Sequence, residues 1–88
     1  MSYKIVFKRQ AQKELNKISN PFALKIALAI NELSNNPRPA GCKKLNVPDV
    51  NLWRIRSGDY RIIYSIEDVV KIIEVIRIGH RGDVYQNL

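Results

Sequence analysis

Arginine dominates the chemistry this sequence can offer. Arg54 and Arg56 stand at alternate positions of the segment Leu52 to Arg56. Arg61 follows just after Ser57-Gly58-Asp59, and Arg77 and Arg81 close the last apolar segment. A guanidinium fork holds two phosphate oxygens at once and stays charged at any physiological pH. It is therefore a strong electrostatic stabiliser and a poor proton carrier. Like charges facing each other across strands destabilise a sheet, by about a few tenths of a kcal/mol or more per pair. Such an accumulation is better explained by a bound anion than by fold stability. Proton transfer falls to other groups. His80 is the only imidazole, and histidine is the side chain that exchanges a proton near neutral pH. Tyr85 offers a phenol that can also stack on a nucleobase. Asp83 and Glu67 are carboxylates with nothing around them in sequence that promotes a role as base. Arg38, Lys43 and Lys44 sit in a turn-rich stretch and read either as solubilising charge or as a phosphate-contacting rim.

Composition bounds the rest. The chain has 88 residues, 15 Lys and Arg against 8 Asp and Glu, and a net charge of +7. That length supports one core, so a single domain over residues 1–88 is expected. The charge points to a polyanionic partner: nucleic acid, anionic lipid or an acidic protein. One Cys and one His leave neither a disulfide framework nor a Cys/His metal cluster, and no metal or cofactor is expected. Cys42 reads as a passive thiol, with Lys43 and Lys44 the only activating neighbours. The opening residues mix Lys4 with apolar side chains, and the longest apolar run, Ile26 to Ile30, is far short of the ~20 residues of a membrane span. No membrane partner is expected, and a cytoplasmic location is.

Period two in Tyr3-Ile5-Phe7 predicts a first strand. Helical spacing of Ala11, Leu15 and Ile18, with Lys13, Glu14 and Lys17 on other faces, predicts a helix over about 10–19. Asn20-Pro21 punctuates, and a second helix is predicted over about 21–34 with Phe22, Ile26, Ile30 and Leu33 as its apolar stripe. Residues 35–51 carry turn chemistry throughout. Three strands are predicted over 52–56, 60–66 and 69–78. The first places Trp53 and Ile55 on one face and Arg54 and Arg56 on the other; the second groups Tyr60, Ile62, Tyr64 and Ile66. The fold class is α+β, in the order β-α-α-β-β-β. A helical hairpin packs on one face of a twisted, mostly antiparallel four-stranded sheet. Three neighbouring strands spaced ~4.8 Å apart can gather the guanidiniums into one patch.

The segment Leu52-Trp53-Arg54-Ile55-Arg56-Ser57-Gly58-Asp59-Tyr60-Arg61-Ile62-Ile63-Tyr64 and the later Val75-Ile76-Arg77-Ile78-Gly79-His80-Arg81-Gly82-Asp83-Val84-Tyr85 resemble the RelE/ParE superfamily of bacterial toxins. Tyr3 to Phe7, Ala11 to Leu15, Asn36 to Pro39 and Lys43 to Leu45 extend the similarity over nearly the whole chain. The resemblance implies the fold above. For its RelE branch it implies a metal-independent endoribonuclease that enters the ribosomal A site, against 16S rRNA, and cuts translated mRNA. The 2′-OH attacks the adjacent phosphorus and leaves a 2′,3′-cyclic phosphate. It also implies a cognate antitoxin as partner, with operator DNA reached only through that antitoxin. Carried over by position, Arg61 binds the scissile phosphate, Arg81 stabilises the transition state, and Tyr85 stacks on or orients a base. Arg54 and Arg56 match a basic strand that is lysine-rich in other members. Here Leu52 and Arg54 replace lysines that could share proton transfer, so His80, or Lys43 or Lys44, is the expected substitute. The ParE branch implies inhibition of DNA gyrase without RNase activity, and a non-enzymatic co-repressor is a third reading.

Overall fold

The alternation in the second half of the chain becomes three long strands, and the computed structural model describes residues 2–80. The elements are β1 (Lys4–Phe7), α1 (Arg9–Asn16), α2 (Phe22–Glu32), β2 (Lys43–Lys44), β3 (Leu52–Ser57), β4 (Tyr60–Glu67) and β5 (Ile72–His80). They form a sheet of order β1-β5-β4-β3-β2, in which β1 runs parallel to β5 and the other pairings are antiparallel. The expected α+β class, with both helices on one face, is the observed one.

Three details differ from expectation. The sheet has five strands, because Lys43 and Lys44 inside the turn-rich stretch pair with Arg54 and Trp53. Such a short strand has too few residues for alternation to show. β5 starts at Ile72 and not at Val69, since Val69 is 95% exposed and Lys71 takes a left-handed φ of 58° in the turn. It also continues through Gly79 to His80, because β4 offers Arg61 and Tyr60 as partners for them. Both helices are shorter than the periodicity suggests, and Pro21 caps α2 where Phe22 begins it.

The helix-covered face holds the core. Ile26, Ile30 and Leu33, one stripe of α2, are buried against Ile55, Ile62, Tyr64, Ile66, Ile73, Val75 and Ile78 of the sheet. Each such burial contributes about 1.5–3 kcal/mol. Phe22, expected in the same stripe, stays 49% exposed because it stands at the overhanging start of α2, tilted against Tyr60 at 6.0 Å. The opposite face is only half covered: Leu45 and Val47, beyond β2, fold onto Leu52, Ile63 and Ile76. A bulge between the pairs Ile63/Arg77 and Tyr64/Val75 inserts Ile76 into β5. Val75 and Ile78 both face the helices, so two consecutive residues, Ile76 and Arg77, fall on the opposite side.

Candidate nucleic-acid interface

Register converts the arginine pattern into a surface. Arg56 lies directly across from Arg61, and Arg61 from Gly79. One row along, Lys43 pairs with Arg54, Arg54 with Ile63 and Ile63 with Arg77. Residues opposite one another share a face, with Cβ atoms about 4.5–5.5 Å apart. Lys43, Arg54, Arg56 and Arg61 therefore gather on the uncovered face, at the end where the β3–β4 turn lies. Gly79 stands across from Arg61 and adds no side chain beside it.

Arg54 is the unusual member. It is only 8% exposed, yet among the described residues no hydrogen bond or ion pair meets its guanidinium. No unexposed side-chain nitrogen or oxygen there is sealed from solvent without a hydrogen bond, so the Arg54 nitrogens still reach the surface. A buried charge is costly unless something pairs with it. An anion arriving from outside would supply the missing partner. Lys43, Arg56 and Arg61 likewise have no ion pair among the described residues.

Several expected site residues lie elsewhere. The His80 ring stacks on Tyr60, centroids 4.4 Å apart, and both follow the parity of Ile78 and Ile62 toward the helices. Arg61 points to the other side of the sheet, so the structure does not bring His80 and Arg61 together. Arg77 leaves the arginine row: its Nε donates to Glu14 Oε2 at 3.0 Å, at the sheet edge. Arg38 donates to both carboxylate oxygens of Asp68, at 2.9 and 3.3 Å, and lies over the Trp53 ring at 5.0 Å. Asp68 follows the far end of β4, seven residues beyond Arg61, which is roughly 20 Å along a strand. Lys44, paired with Trp53, takes the helix side of the sheet edge, and Glu67 is exposed at the far end of β4. Arg81, Asp83 and Tyr85 lie outside the described residues.

The Arg38 contacts form a latch between the α2–β3 loop and the turn after β4. Tyr3 Oη also donates to Asp68, at 2.7 Å. Hydrogen bonds from Arg38 and then Tyr3 hold the Asp68 carboxyl below its usual range, and the one to Asp68 raises Arg38. Tyr64 anchors the same loop from beneath by donating to the Pro37 carbonyl at 2.7 Å, and burial pushes its phenol up. Glu14, expected on a face away from the apolar stripe, instead meets β5. The available signal was position: Glu14 falls between Ala11 and Ile18 at helical spacings of three and four, so an acid occupies the apolar stripe.

Comparison with known proteins now bears on this surface. A family model described as ParE toxin of type II toxin-antitoxin system matches residues 5–85. The chain belongs to the RelE/ParE-like toxin family. Toxin RelG of Mycobacterium tuberculosis is 30% identical over 87 residues, covering 98% of this chain and 99% of that protein. The mRNA interferase toxin RelE of Escherichia coli is 29% identical over 87 residues, covering 97% and 92%. Among solved structures, the RelE–RelB complex of Pyrococcus horikoshii has a RelE-like chain that superposes with a TM-score of 0.81 at 29% identity, covering 93% and 98%. The intact RelBE toxin-antitoxin complex of E. coli gives a TM-score of 0.75 at 26% identity, covering 92% and 99%. In this toxin fold the helices cover one side of the sheet, and Lys43, Arg54, Arg56 and Arg61 occupy the other.

Proposed function

We propose that this RelE-like toxin is a ribosome-dependent mRNA endonuclease, neutralised by a cognate antitoxin. The observation that carries the reading is Arg54, largely buried and, among the described residues, without an ion pair or hydrogen bond, beside Arg56, Arg61 and Lys43. That cluster has the charge and the fork geometry for a phosphate whose negative charge grows during reaction. The E. coli relative carries the name mRNA interferase at 29% identity, which supports the same reading. The neighbours solved with RelB antitoxins support a protein partner, and the +7 charge suits an acidic one. Operator DNA would be reached through that partner.

The chemistry needs no covalent enzyme intermediate. The ribose 2′-oxygen forms a bond to phosphorus, the bond from phosphorus to the 5′-oxygen breaks, and the products are a 2′,3′-cyclic phosphate and a 5′-OH. Arg61, across the sheet from Gly79, holds the non-bridging oxygens, with Arg54 and Arg56 alongside. Arg81, one residue past β5, adds a further guanidinium to the transition state, and Tyr85 orients a base. One proton leaves the 2′-OH and one reaches the 5′-oxygen. With His80 stacked on Tyr60 on the other side, Lys43 is the neighbouring group able to exchange a proton. The test is primer extension on a translated message with purified ribosomes, comparing wild type with Arg61→Ala.

The ParE description of the matching family model favours a second reading, inhibition of DNA gyrase. Gyrase-dependent double-strand breaks with intact mRNA would select it.

A further inference from the structure

Strand β1 ends early. Its last rung to β5 is the Lys8 N–H donating to the Val75 carbonyl at 2.9 Å. Beyond that point, among the described residues, β5 continues through Ile76 to His80 with a strand, β4, on one side only. On its other side a carboxylate of α1 meets the backbone where β1 has stopped. Glu14 Oε1 accepts the Ile78 N–H at 2.8 Å, and Oε2 accepts Arg77 Nε at 3.0 Å. Gln10, one turn earlier on α1, donates to the same Oε2 at 3.3 Å. The Arg77 and Glu14 side chains are only 18% and 17% exposed. An acid so near the C-terminal end of a two-turn helix also opposes the helix dipole, so helix stability does not explain it.

The segment held in this way is the one that matters to the basic face. Gly79, next to Ile78, is the residue paired across from Arg61, and Arg81 follows β5 in the sequence. We infer that Glu14 is a positioning residue for RNA cleavage: by fixing the backbone at Ile78 and the arm of Arg77, it sets where the end of β5 stands relative to Arg61. This rests on the nuclease reading above. Glu14 touches no substrate and acts through the strand. A displacement of about 1 Å at a reacting centre can cost on the order of 10²-fold in rate, so loosening this segment lowers turnover rather than binding.

The test measures single-turnover cleavage on programmed ribosomes against toxin concentration, for wild type, Glu14→Gln and Glu14→Met. Melting temperature and amide exchange at Ile78 are followed in parallel. Gln keeps a carbonyl for the Ile78 N–H; Met keeps length and helix propensity but accepts nothing. The expected result for Glu14→Met is a maximal rate about 10- to 100-fold down, a half-saturating concentration within about twofold of wild type, and faster exchange at Ile78. Glu14→Gln should restore most of the rate. Full activity in Glu14→Met overturns the inference. So does a loss confined to half-saturation, or equal losses in both variants that track their melting temperatures. If Glu14→Met does not fold, Glu14→Asp, too short to reach both groups, stands in under the same criteria. A wild-type toxin that leaves the message intact removes the nuclease reading, and this inference with it. Cleavage by wild type and variant alike removes only the role of Glu14.

Discussion

A single guanidinium shows how stability and function pull apart in this molecule. Among the described residues Arg54 is largely buried and meets no hydrogen bond or ion pair, so little of the fold's stability rests on its charge. Replacing it with Met keeps the aliphatic bulk against Leu52 and Ile63 and removes the uncompensated charge. Arg54→Met should melt no lower than wild type, and higher by about 2–8 °C, while cleavage of ribosome-bound mRNA falls at least about 10²-fold. A variant both less stable and fully active would contradict this. Lys43→Arg keeps the charge but replaces an amine with a guanidinium that does not give up a proton, so it should retain RNA binding and lower the cleavage rate about 10²-fold or more. His80→Gln should leave the pH–rate profile unchanged, because the ring stacks on Tyr60 away from Arg61. The alternation of Arg54 and Arg56 with Trp53 and Ile55 was legible in the sequence, since strand parity alone dictates it. The burial of Arg54 was not, because it depends on how neighbouring strands and loops close around that face. Nor was the position of His80, because the apolar pattern of this strand stops at Ile78 while its pairing with β4 runs on to His80.

At the scale of elements, the loop between α2 and β3 is tied down at two points. Arg38 bridges to Asp68 and covers Trp53, and Tyr64 holds the Pro37 carbonyl from beneath. Arg38→Ala should therefore lower the melting temperature by about 2–5 °C and leave the salt dependence of RNA binding unchanged. A flatter salt slope would return Arg38 to the phosphate rim. Burial raises the Tyr64 phenol in the folded chain, so its stabilising contribution is complete below the ordinary 10.0 and is lost as pH rises beyond it. Tyr64→Phe should cost about 0.5–1.5 kcal/mol at neutral pH through the lost hydrogen bond, and should unfold less steeply than wild type above pH 10.0 in alkaline titration. The three long strands and both helices could be read from periodicity. β2 could not, since two lysines carry no pattern. The bulge at Ile76 was hidden because both sides of β5 are apolar there, and the parallel pairing of β1 depends on contacts far apart in the chain.

Across the whole molecule, charge is distributed by face and by end. Lys43, Arg54, Arg56 and Arg61, without ion pairs among the described residues, share one end of the face opposite the helices. Glu67 and Glu74 stand on the same face at the other end, by register with Ile72 and Ser65. An anionic strand is thus directed to the arginine end, and binding should weaken steeply with salt, by about 0.7 in log–log slope per single-stranded phosphate contact. Removing Arg56 should reduce that slope by about one contact. The net charge alone could have meant lipid, RNA or an acidic protein. Only the sheet's register separates a concentrated site from a dispersed coat. The most direct measurement is primer extension on a message being translated by purified ribosomes. Wild-type toxin should produce discrete cuts with 2′,3′-cyclic phosphate ends, and Arg61→Ala, folded and equally stable, should cut about 10² to 10³ times more slowly. An intact message with wild type, or undiminished cutting by Arg61→Ala, would contradict the claim that this face cleaves RNA.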